Sequence, residues 1–474
     1  MVTANSVTLA LFVGRRNLTR HAVLDERAFR QQRNAPPRHP GVVGAEIGLQ
    51  EAATRMTRVL HSPRRARPSP RSTPMPLKPG TVWFTILLGL LLGLSPLGTD
   101  SFLPAMPAIA RNFDATAAAV QLAVTTFFLG VAAGQLAWGP LSDRYGRRPA
   151  LLSGLAPFFA ANLACAAAQS AAAVVAGRRA QGLGMSSGPV VARGVVRDLY
   201  EREHAAGLLA RMMVVFGVVP IAAPLVGAGM LALRGWPGIF WLMAATALAL
   251  AAWVAFELEE TAPLPRAPAR PRRVAANLAR LLADRRFVGP LVILLCTQGG
   301  IYAFVSNSAF VLVHGLGLSP IQYSLCFSAV MLGQIAGAQL STRLVLKHGI
   351  AAMARTGARL ASVSGLVLAA LAWAGAAHWY AVVLPMVVYV FASSYVLPHA
   401  TAAALSPFPQ IAGAASSLLG TCQFSVGAAV SAGLGAAFDG TARPMASVGA
   451  LTRVGALAGY SLLLHERAAP HGNR

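Results

Sequence analysis

Residues 139–148 read Gly-Pro-Leu-Ser-Asp-Arg-Tyr-Gly-Arg-Arg and directly follow a long apolar stretch. The glycines and charged residues in this segment are Gly139, Asp143, Arg144, Gly146, Arg147 and Arg148. One acid and three arginines thus lie between two apolar runs that are each long enough to cross a bilayer. The segment predicts a tight connector between two membrane-spanning helices, on the cytoplasmic side because basic loops stay there.

Composition excludes a soluble globular protein. The chain has 474 residues, of which 55% are hydrophobic and only 12% are charged, and its mean hydropathy is +0.57. A membrane-spanning helix needs about 20 mainly apolar residues, so the apolar region from Val82 to Leu464 accommodates roughly twelve of them. We therefore expect an all-α membrane protein with little chain left for a soluble domain.

The predicted spans fall into two equal groups. They are 82–107, 116–138, 149–170, 172–195, 206–231 and 237–256, followed by 287–313, 320–342, 352–375, 379–403, 411–436 and 443–464. The longest internal connector is rich in Pro and Arg. The predicted order is a six-helix bundle (79–256), a cytoplasmic linker (257–286), a second six-helix bundle (287–464) and a cytoplasmic tail (465–474).

Residues 1–78 differ in composition from the rest of the chain. They are rich in Arg and Pro and show no sustained apolar periodicity, which predicts disorder. Two interpretations stay open. Either translation begins at Met75, directly before the first apolar helix, or this basic arm contacts anionic lipid.

The distribution of basic residues predicts the orientation in the membrane. The formal net charge is +24, which in a soluble protein would suggest nucleic-acid binding. Here the basic residues are concentrated in alternate loops, and the loops between them are nearly uncharged. The positive-inside rule places the basic loops and both termini in the cytoplasm, and we expect no nucleic-acid partner.

Neither a metal nor a catalytic centre is expected. The four cysteines lie singly in separate predicted spans, and the ten histidines show no HxxxH or HExxH spacing. No segment resembles a nucleotide-binding P-loop. We therefore expect no cofactor and no enzymatic activity.

Asp100 is an acid within the first apolar span. An ionisable side chain at membrane depth is costly and is by default a functional hypothesis. Because protonation removes that charge, Asp100 is a candidate proton carrier. The alternative is that Asp100 only caps the span, since a position about 27 Å along a helix from Val82 lies in the outer half of the bilayer.

Two adjacent arginines, Arg178 and Arg179, lie within the fourth apolar span. Successive residues on a helix point about 100° apart, so the two side chains cannot face the same partner. One should point into the protein, and the other must pair elsewhere or extend to the membrane surface.

The fifth span contains Pro220, Pro224 and Gly227. Proline removes a backbone hydrogen bond and kinks a helix, and small residues let neighbouring helices approach closely. Generic helix packing is the alternative explanation for the small residues.

Taken in order, these segments resemble a known family. The patterns are TDxxLPAMP, GQxxxGPLSDRxGRRP, GRxxQGLG, ARxxVRD, APLVG and, at 413–417, GAASS. They follow one another over about residues 82–460 with the spacing of the major facilitator superfamily, and they look most like its bicyclomycin and chloramphenicol (Bcr/CflA type) exporters. The resemblance implies twelve transmembrane helices in two six-helix bundles that work by alternating access.

The resemblance also implies roles for individual residues. Asp100 would carry the proton, and Arg178, at the arginine of the fourth-span motif, would tune that carboxylate or the substrate. The loop 139–148 would form a conformational gate with Arg193, Arg197 and Asp198; the alternative is that these are solvated charges that fix orientation. Pro220, Pro224 and Gly227 match the antiporter motif, although Ala228, Pro237 and Arg179 depart from the usual family residues.

A substrate cavity is expected between the bundles. The candidate lining residues are Gln181, Gln298, Tyr302, Asn307, Tyr389 and Tyr395. Together they would suit a partly aromatic molecule with a few hydrogen-bonding groups, and the alternative for each residue is helix packing. Within the second group of spans, Arg453 is the main charged residue, and no role is predicted for it.

The function that the resemblance implies is proton-coupled efflux of small amphenicol- or bicyclomycin-like molecules across the inner membrane of a bacterium. The expected partners are the small-molecule substrate, protons and the lipid bilayer, and the chain is expected to act as a monomer. The main alternative is a symporter or facilitator for a nutrient or metabolite. A sensor without transport activity would show the same sequence pattern.

Overall fold

Proline, glycine and polar residues determine where the helices of this chain begin, bend and end. The computed structural model describes residues 81–200, 202–262 and 271–468. In the first half the helices are α1 (Val82–Asp100), α2 (Met106–Asn112), α3 (Ala117–Tyr145), α4 (Arg147–Ala166), α5 (Ala171–Met185), α6 (Ser187–Leu199) and α7 (Arg202–Glu257). In the second half they are α8 (Pro271–Ala283), α9 (Arg285–Ala309), α10 (Pro320–Trp373), α11 (Trp379–Ser393), α12 (Leu397–Leu405), α13 (Ala412–Ala437) and α14 (Arg443–Ala468).

Grouped by the spans that they build, these helices make twelve membrane crossings. The pairs α1 with α2, α5 with α6, and α11 with α12 each form one interrupted crossing. The helices α7 and α10 each contain two crossings, which are joined at Gly235 and Gly349, where φ is 70° and 77°. Nine stretches of the described residues are long and apolar enough to span a bilayer. The predicted all-α membrane fold is confirmed.

The first crossing is longer than predicted and is bent. After α1 ends at Asp100, a 3₁₀ turn over Leu103–Ala105 leads into α2. Pro104 cannot donate the backbone hydrogen bond that would continue α1. The crossing runs to Asn112, so Asp100 lies about 18 Å from its far end at 1.5 Å per residue.

The linker contains a helix that the sequence did not lead us to predict. Helix α8 presents Leu278 and Leu281 to a hydrophobic cluster with Phe287 and Phe408. Apolar residues three or four positions apart form one face of a helix, and here that face is covered. Residues 263–270 and the predicted arm at 1–78 lie outside the described residues.

Each half of the chain packs mainly on itself. In the first half α5 contacts α3 and α4, while α7 contacts α1 and α4. In the second half α14 contacts α9 and α10, α10 contacts α11, and α13 contacts α9. The main contacts between the two bundles are those of α3 with α13 and of α7 with α10.

Small and hydroxyl-bearing residues join α3 to α13. The glycines of α13 that face α3 are Gly420, Gly427 and Gly435. Thr125 on α3 donates a hydrogen bond from Oγ1 to Ser431 Oγ at 3.0 Å. Further along, Thr421 donates from Oγ1 to the carbonyl oxygen of Ala132 at 3.2 Å. The two bundles are therefore in contact along most of this helix pair.

Candidate functional site

Asp100 occupies the last turn of α1 and is buried, with 6% of its surface exposed. Within the described residues, no hydrogen-bond donor and no cation contacts its carboxylate. Tyr323, on α10 of the second bundle, lies within electrostatic range of it. Because the crossing continues well beyond Asp100, this placement disfavours a role as a cap at the membrane surface.

Arg178 on α5 is fully buried. Its Nη1 donates to the carbonyl oxygen of Gly98 at 2.8 Å and to Gln181 Oε1 at 2.9 Å. Its guanidinium carbon lies 4.3 Å from the ring centroid of Phe102 and 4.0 Å from that of Phe127, which is cation–π geometry. Nε and Nη2 have no hydrogen-bond partner. The described residues thus hold this cation with carbonyls and aromatic rings.

No ion pair joins Arg178 to Asp100 in the described part of the chain. The link between them runs through the backbone of α1, because Arg178 binds the carbonyl of Gly98, two residues before Asp100. In this geometry Arg178 fixes the last turn of α1 and so positions the carboxylate, without neutralising it directly.

A polar chain connects Arg178 to α4. Gln181 donates from Nε2 to Asn162 Oδ1 at 2.8 Å, and Asn162 donates from Nδ2 to the carbonyl oxygen of Phe158 at 2.8 Å. Gln181 therefore lies inside the first bundle. Asn162 was not singled out from the sequence, although an amide within an apolar span is a signal for an interhelical hydrogen bond. Arg179 is exposed on another side of α5.

Arg147 is the centre of a charge cluster, which we define as Asp143, Arg147 and Asp198. Arg147 is 4% exposed, and its Nη1 lies 2.6 Å from Asp143 Oδ1. Its Nε lies 2.7 Å from Asp198 Oδ2. Nη1 also donates to Ser142 Oγ at 2.7 Å. One side chain therefore connects the ends of α3, α4 and α6.

The start of the linker is attached beside the charge cluster. The backbone N–H groups of Arg147 and Ala262 donate to Glu260 Oε1 at 2.8 and 2.9 Å. A carboxylate at the start of α4 interacts favourably with the helix dipole. Gly146 makes the turn before this helix with φ 108°, a conformation that favours glycine. Glu260 carried no prediction from the sequence.

Arg197 extends the charge cluster towards the second bundle. Its Nη2 lies 3.8 Å from Asp143 Oδ1 in an exposed ion pair. The same side chain lies beside Gly413, in the first turn of α13. Arg197 is thus the predicted gate residue that reaches both bundles.

The other predicted gate residues lie apart from the charge cluster. Arg193 donates to the carbonyl of Pro189 at 2.9 Å, Arg148 donates to the carbonyl of Ala255, and Arg144 lies 5.0 Å from the ring centroid of Tyr145. Gly139 faces open space. In the described structure, the side chains of Arg144 and Arg193 therefore make no ion pair with Asp143.

The fifth-span segment of α7 touches both the bend of α1 and the second bundle. Gly227 packs directly on the backbone of Ser101. The carbonyl oxygen of Pro224 accepts a hydrogen bond from Ser324 Oγ of α10 at 2.9 Å. Pro220 lies one turn earlier in the same helix. This segment thus adjoins Asp100 on one side and α10 on the other.

Comparison with known sequences decides the family. Residues 88–432 match the sequence profile of the Major Facilitator Superfamily. The chain belongs to the major facilitator superfamily. It is 30% identical over 385 residues to a bicyclomycin resistance protein homolog of Haemophilus influenzae. The alignment covers 81% of this chain and 96% of that protein. It is also 30% identical over 355 residues to multidrug resistance protein D of Escherichia coli. That alignment covers 74% of this chain and 88% of the relative.

Solved structures agree on the fold of this major facilitator protein. The crystal structure of a D-xylose-proton symporter superposes with a TM-score of 0.63 and covers 79% of this chain and 97% of that one. The sequence identity is 17%, so this likeness concerns the fold alone.

Two of the predicted cavity residues of this major facilitator protein lie where its bundles meet, and a third, Gln298, lies beside one of them. The ring centroid of Tyr302 lies 5.0 Å from that of Phe128 on α3. The side chain of Gln298 lies close to that of Tyr302, four residues later on α9. Asn307 donates from Nδ2 to Gln121 Oε1 at 3.4 Å. Tyr302 and Asn307 thus contact α3 of the first bundle.

The other two predicted cavity residues of the C-terminal half lie within the second bundle. The ring of Tyr395 packs against Phe391, with 5.4 Å between centroids. The ring of Tyr389 lies 4.1 Å from the guanidinium carbon of Arg453, which is only 1% exposed. The structure thus gives Arg453 defined partners, although no role for it was predicted from the sequence.

Proposed function

We propose that this major facilitator protein exports small drug-like molecules of the amphenicol or bicyclomycin type in exchange for protons. The observation that carries the proposal is the buried carboxylate of Asp100, which has no donor or cation partner among the described residues. The names of two relatives, a bicyclomycin resistance homolog and multidrug resistance protein D, support the substrate class. The membrane is the inner membrane of a bacterium.

In this proposal, protonation of Asp100 and binding of the substrate exclude each other. A buried carboxylate without a partner is costly while it is charged, and a proton removes that cost. Arg178 holds the last turn of α1 through Gly98, and Gly227 holds α7 against Ser101, the residue after Asp100. A change in the charge of Asp100 is thereby transmitted to α7 and, through Ser324, to α10. The proton gradient supplies the energy.

The charge cluster of Asp143, Arg147 and Asp198 acts as the conformational gate in this proposal. Charged groups that are paired and largely buried resist separation, and Arg197 connects them to the start of α13. Opening of this side requires Arg197 to leave Gly413. By the positive-inside rule this side, the linker and both termini lie in the cytoplasm, and the chain acts as a monomer.

The deciding experiment measures efflux from energised cells that lack their own exporters. The compounds are amphenicols, bicyclomycin, sulfonamides and lipophilic cations. The full chain is compared with Asp100→Asn and with a control, Asp114→Asn, which alters an exposed acid outside the membrane crossings. Asp114 has φ 47°, a conformation that Asn also tolerates. Expression of all three proteins is checked on immunoblots.

We expect the full chain and Asp114→Asn to expel at least one compound, and Asp100→Asn to retain it. Collapse of the proton gradient should stop export by the full chain and by Asp114→Asn. Export by Asp100→Asn at the parental rate would overturn the coupling role of Asp100. If no compound is moved by the full chain, a nutrient symporter, a facilitator or a sensor replaces this proposal.

A further inference from the structure

The second bundle contains a buried guanidinium near the middle of its last crossing. Arg453 is 1% exposed and lies about 15 Å along α14 from Arg443, where the helix begins. It donates from Nη2 to Ser393 Oγ, and its guanidinium carbon lies 4.1 Å from the ring centroid of Tyr389. Among the described residues, its Nε and Nη1 have no hydrogen-bond partner. Two strong donor positions are therefore unused.

Other polar groups lie near Arg453. The hydroxyl of Tyr389 is also buried and has no hydrogen-bond partner in the part of the chain that the structure describes. Ser362 donates from Oγ to the carbonyl oxygen of Arg453 at 3.4 Å, and Cys296 lies within electrostatic range of Arg453. The residues come from α9, α10, α11 and α14, so the group occupies the interior of the bundle.

Among the side chains that the structure describes, no carboxylate forms an ion pair with Arg453. Asp284 and Asp439 lie in connectors. An arginine stays charged in proteins, and an isolated buried charge is costly. A guanidinium also binds anions and carboxylates with particular strength through charge-assisted hydrogen bonds. The missing negative charge is therefore best supplied by a molecule from outside the chain.

We propose that Arg453, Tyr389 and Ser393 form a binding site for one monovalent anion within the second bundle. Arg453 supplies the charge and the two free N–H positions, and the Tyr389 hydroxyl supplies a further donor. The anion is either chloride or the carboxylate of a small organic acid. The site is separate from Asp100, so it does not depend on which compound is exported.

The test measures thermal unfolding of the purified full chain in detergent at constant ionic strength. One arm replaces isethionate, a bulky sulfonate, stepwise with chloride, and the other replaces it with benzoate. An anion that binds only the folded state raises the unfolding temperature in a saturable way. We expect saturation with at least one of the two anions. The arm that saturates shows whether the site binds chloride or the carboxylate of an organic acid.

The variants link the response to the site. Arg453→Gln should abolish the saturable rise, while Tyr389→Phe, which removes only the hydroxyl, should weaken binding about tenfold, the effect of one hydrogen bond to a charged group. Arg359→Gln, at an exposed arginine on α10, should behave like the parent. If Arg453→Gln fails to fold, Tyr389→Phe and Ser393→Ala decide.

Two results would overturn the proposal. The first is a parent chain whose unfolding temperature shows no saturable response to either anion. The second is a response that remains unchanged in the variants of Arg453, Tyr389 and Ser393. In both cases the guanidinium is held by the Tyr389 ring and the Ser393 hydroxyl alone.

Discussion

Gly227 on α7 lies directly against the backbone of Ser101, the residue that follows Asp100. A β-carbon at position 227 would overlap the carbonyl oxygen of Ser101, so only glycine allows this approach. Sequence alone left generic packing open as the reason for a small residue here. The structure places that residue beside the candidate proton carrier, and the two helices cannot move independently at this point.

Replacement of Gly227 by Ala should therefore impair the protein. The added methyl group meets backbone, which cannot rotate away, and overpacking of this kind costs about 1–3 kcal/mol. We expect a lower unfolding temperature and export reduced at least tenfold, measured on purified protein and in cells. The matched control is Gly229→Ala, where a β-carbon meets open space. Equal behaviour of the two variants would contradict the importance of the Ser101 contact.

Arg178→Lys should abolish export even though the positive charge is kept. A lysine lacks the planar fork that reaches both the Gly98 carbonyl and Gln181, so the last turn of α1 loses its attachment. The measurement is drug efflux together with the unfolding temperature. Arg179→Lys, at the exposed neighbouring arginine, should leave both unchanged. A fully active Arg178→Lys variant would show that charge alone is sufficient.

Arg147→Gln should destabilise the protein by leaving Asp198 buried without its cation. Breaking a buried pair costs about 3–5 kcal/mol. Asp143 contributes less to this loss because its side chain is 54% exposed. Arg144→Gln, which changes an exposed neighbour, is the control. In a double-mutant cycle of unfolding temperatures, Arg147→Gln and Asp198→Asn should be clearly non-additive, and additive effects would argue against the pair.

A disulfide between α3 and α13 should stop transport reversibly. Thr125 Oγ1 and Ser431 Oγ are 3.0 Å apart, so cysteines at these positions are within reach of each other. In a background without the four native cysteines, oxidation of Thr125→Cys/Ser431→Cys should block export, and a reductant should restore it. The two single-cysteine proteins serve as controls. Export by the fully cross-linked protein would show that these helices need not separate there.

Most of the membrane crossings could be predicted from the sequence because they follow from the lengths of the apolar runs. The predicted fourth span, 172–195, corresponds to α5 and α6, and the break between them at Ser186 was not predicted. Trp138 donates from Nε1 to the carbonyl oxygen of Leu183 at 2.7 Å, a donor that no local pattern reveals.

Individual site contacts were harder to predict than spans, because they depend on how each helix is rotated. Arg178 was expected to act on Asp100 or the substrate, and in the structure it binds Gly98 and Gln181. Gln181 in turn binds Asn162, so the hydrogen bonds that start at Arg178 reach a residue that is distant in sequence. The burial of Arg178 and the exposure of Arg179 follow from their different faces, but which of the two would be buried required the family motif.

Two hydroxyl groups at the bundle interface have a second acceptor on their own helix. Thr421 Oγ1 lies 3.2 Å from the carbonyl oxygen of Ala132 and 2.9 Å from that of Ser417. Ser324 Oγ lies 2.9 Å from the carbonyl oxygen of Pro224 and 2.8 Å from that of Pro320. If these two contacts break, each hydroxyl keeps the hydrogen bond within its own helix, so neither becomes an orphaned donor. These two contacts can therefore break and re-form with little change in hydrogen-bond energy.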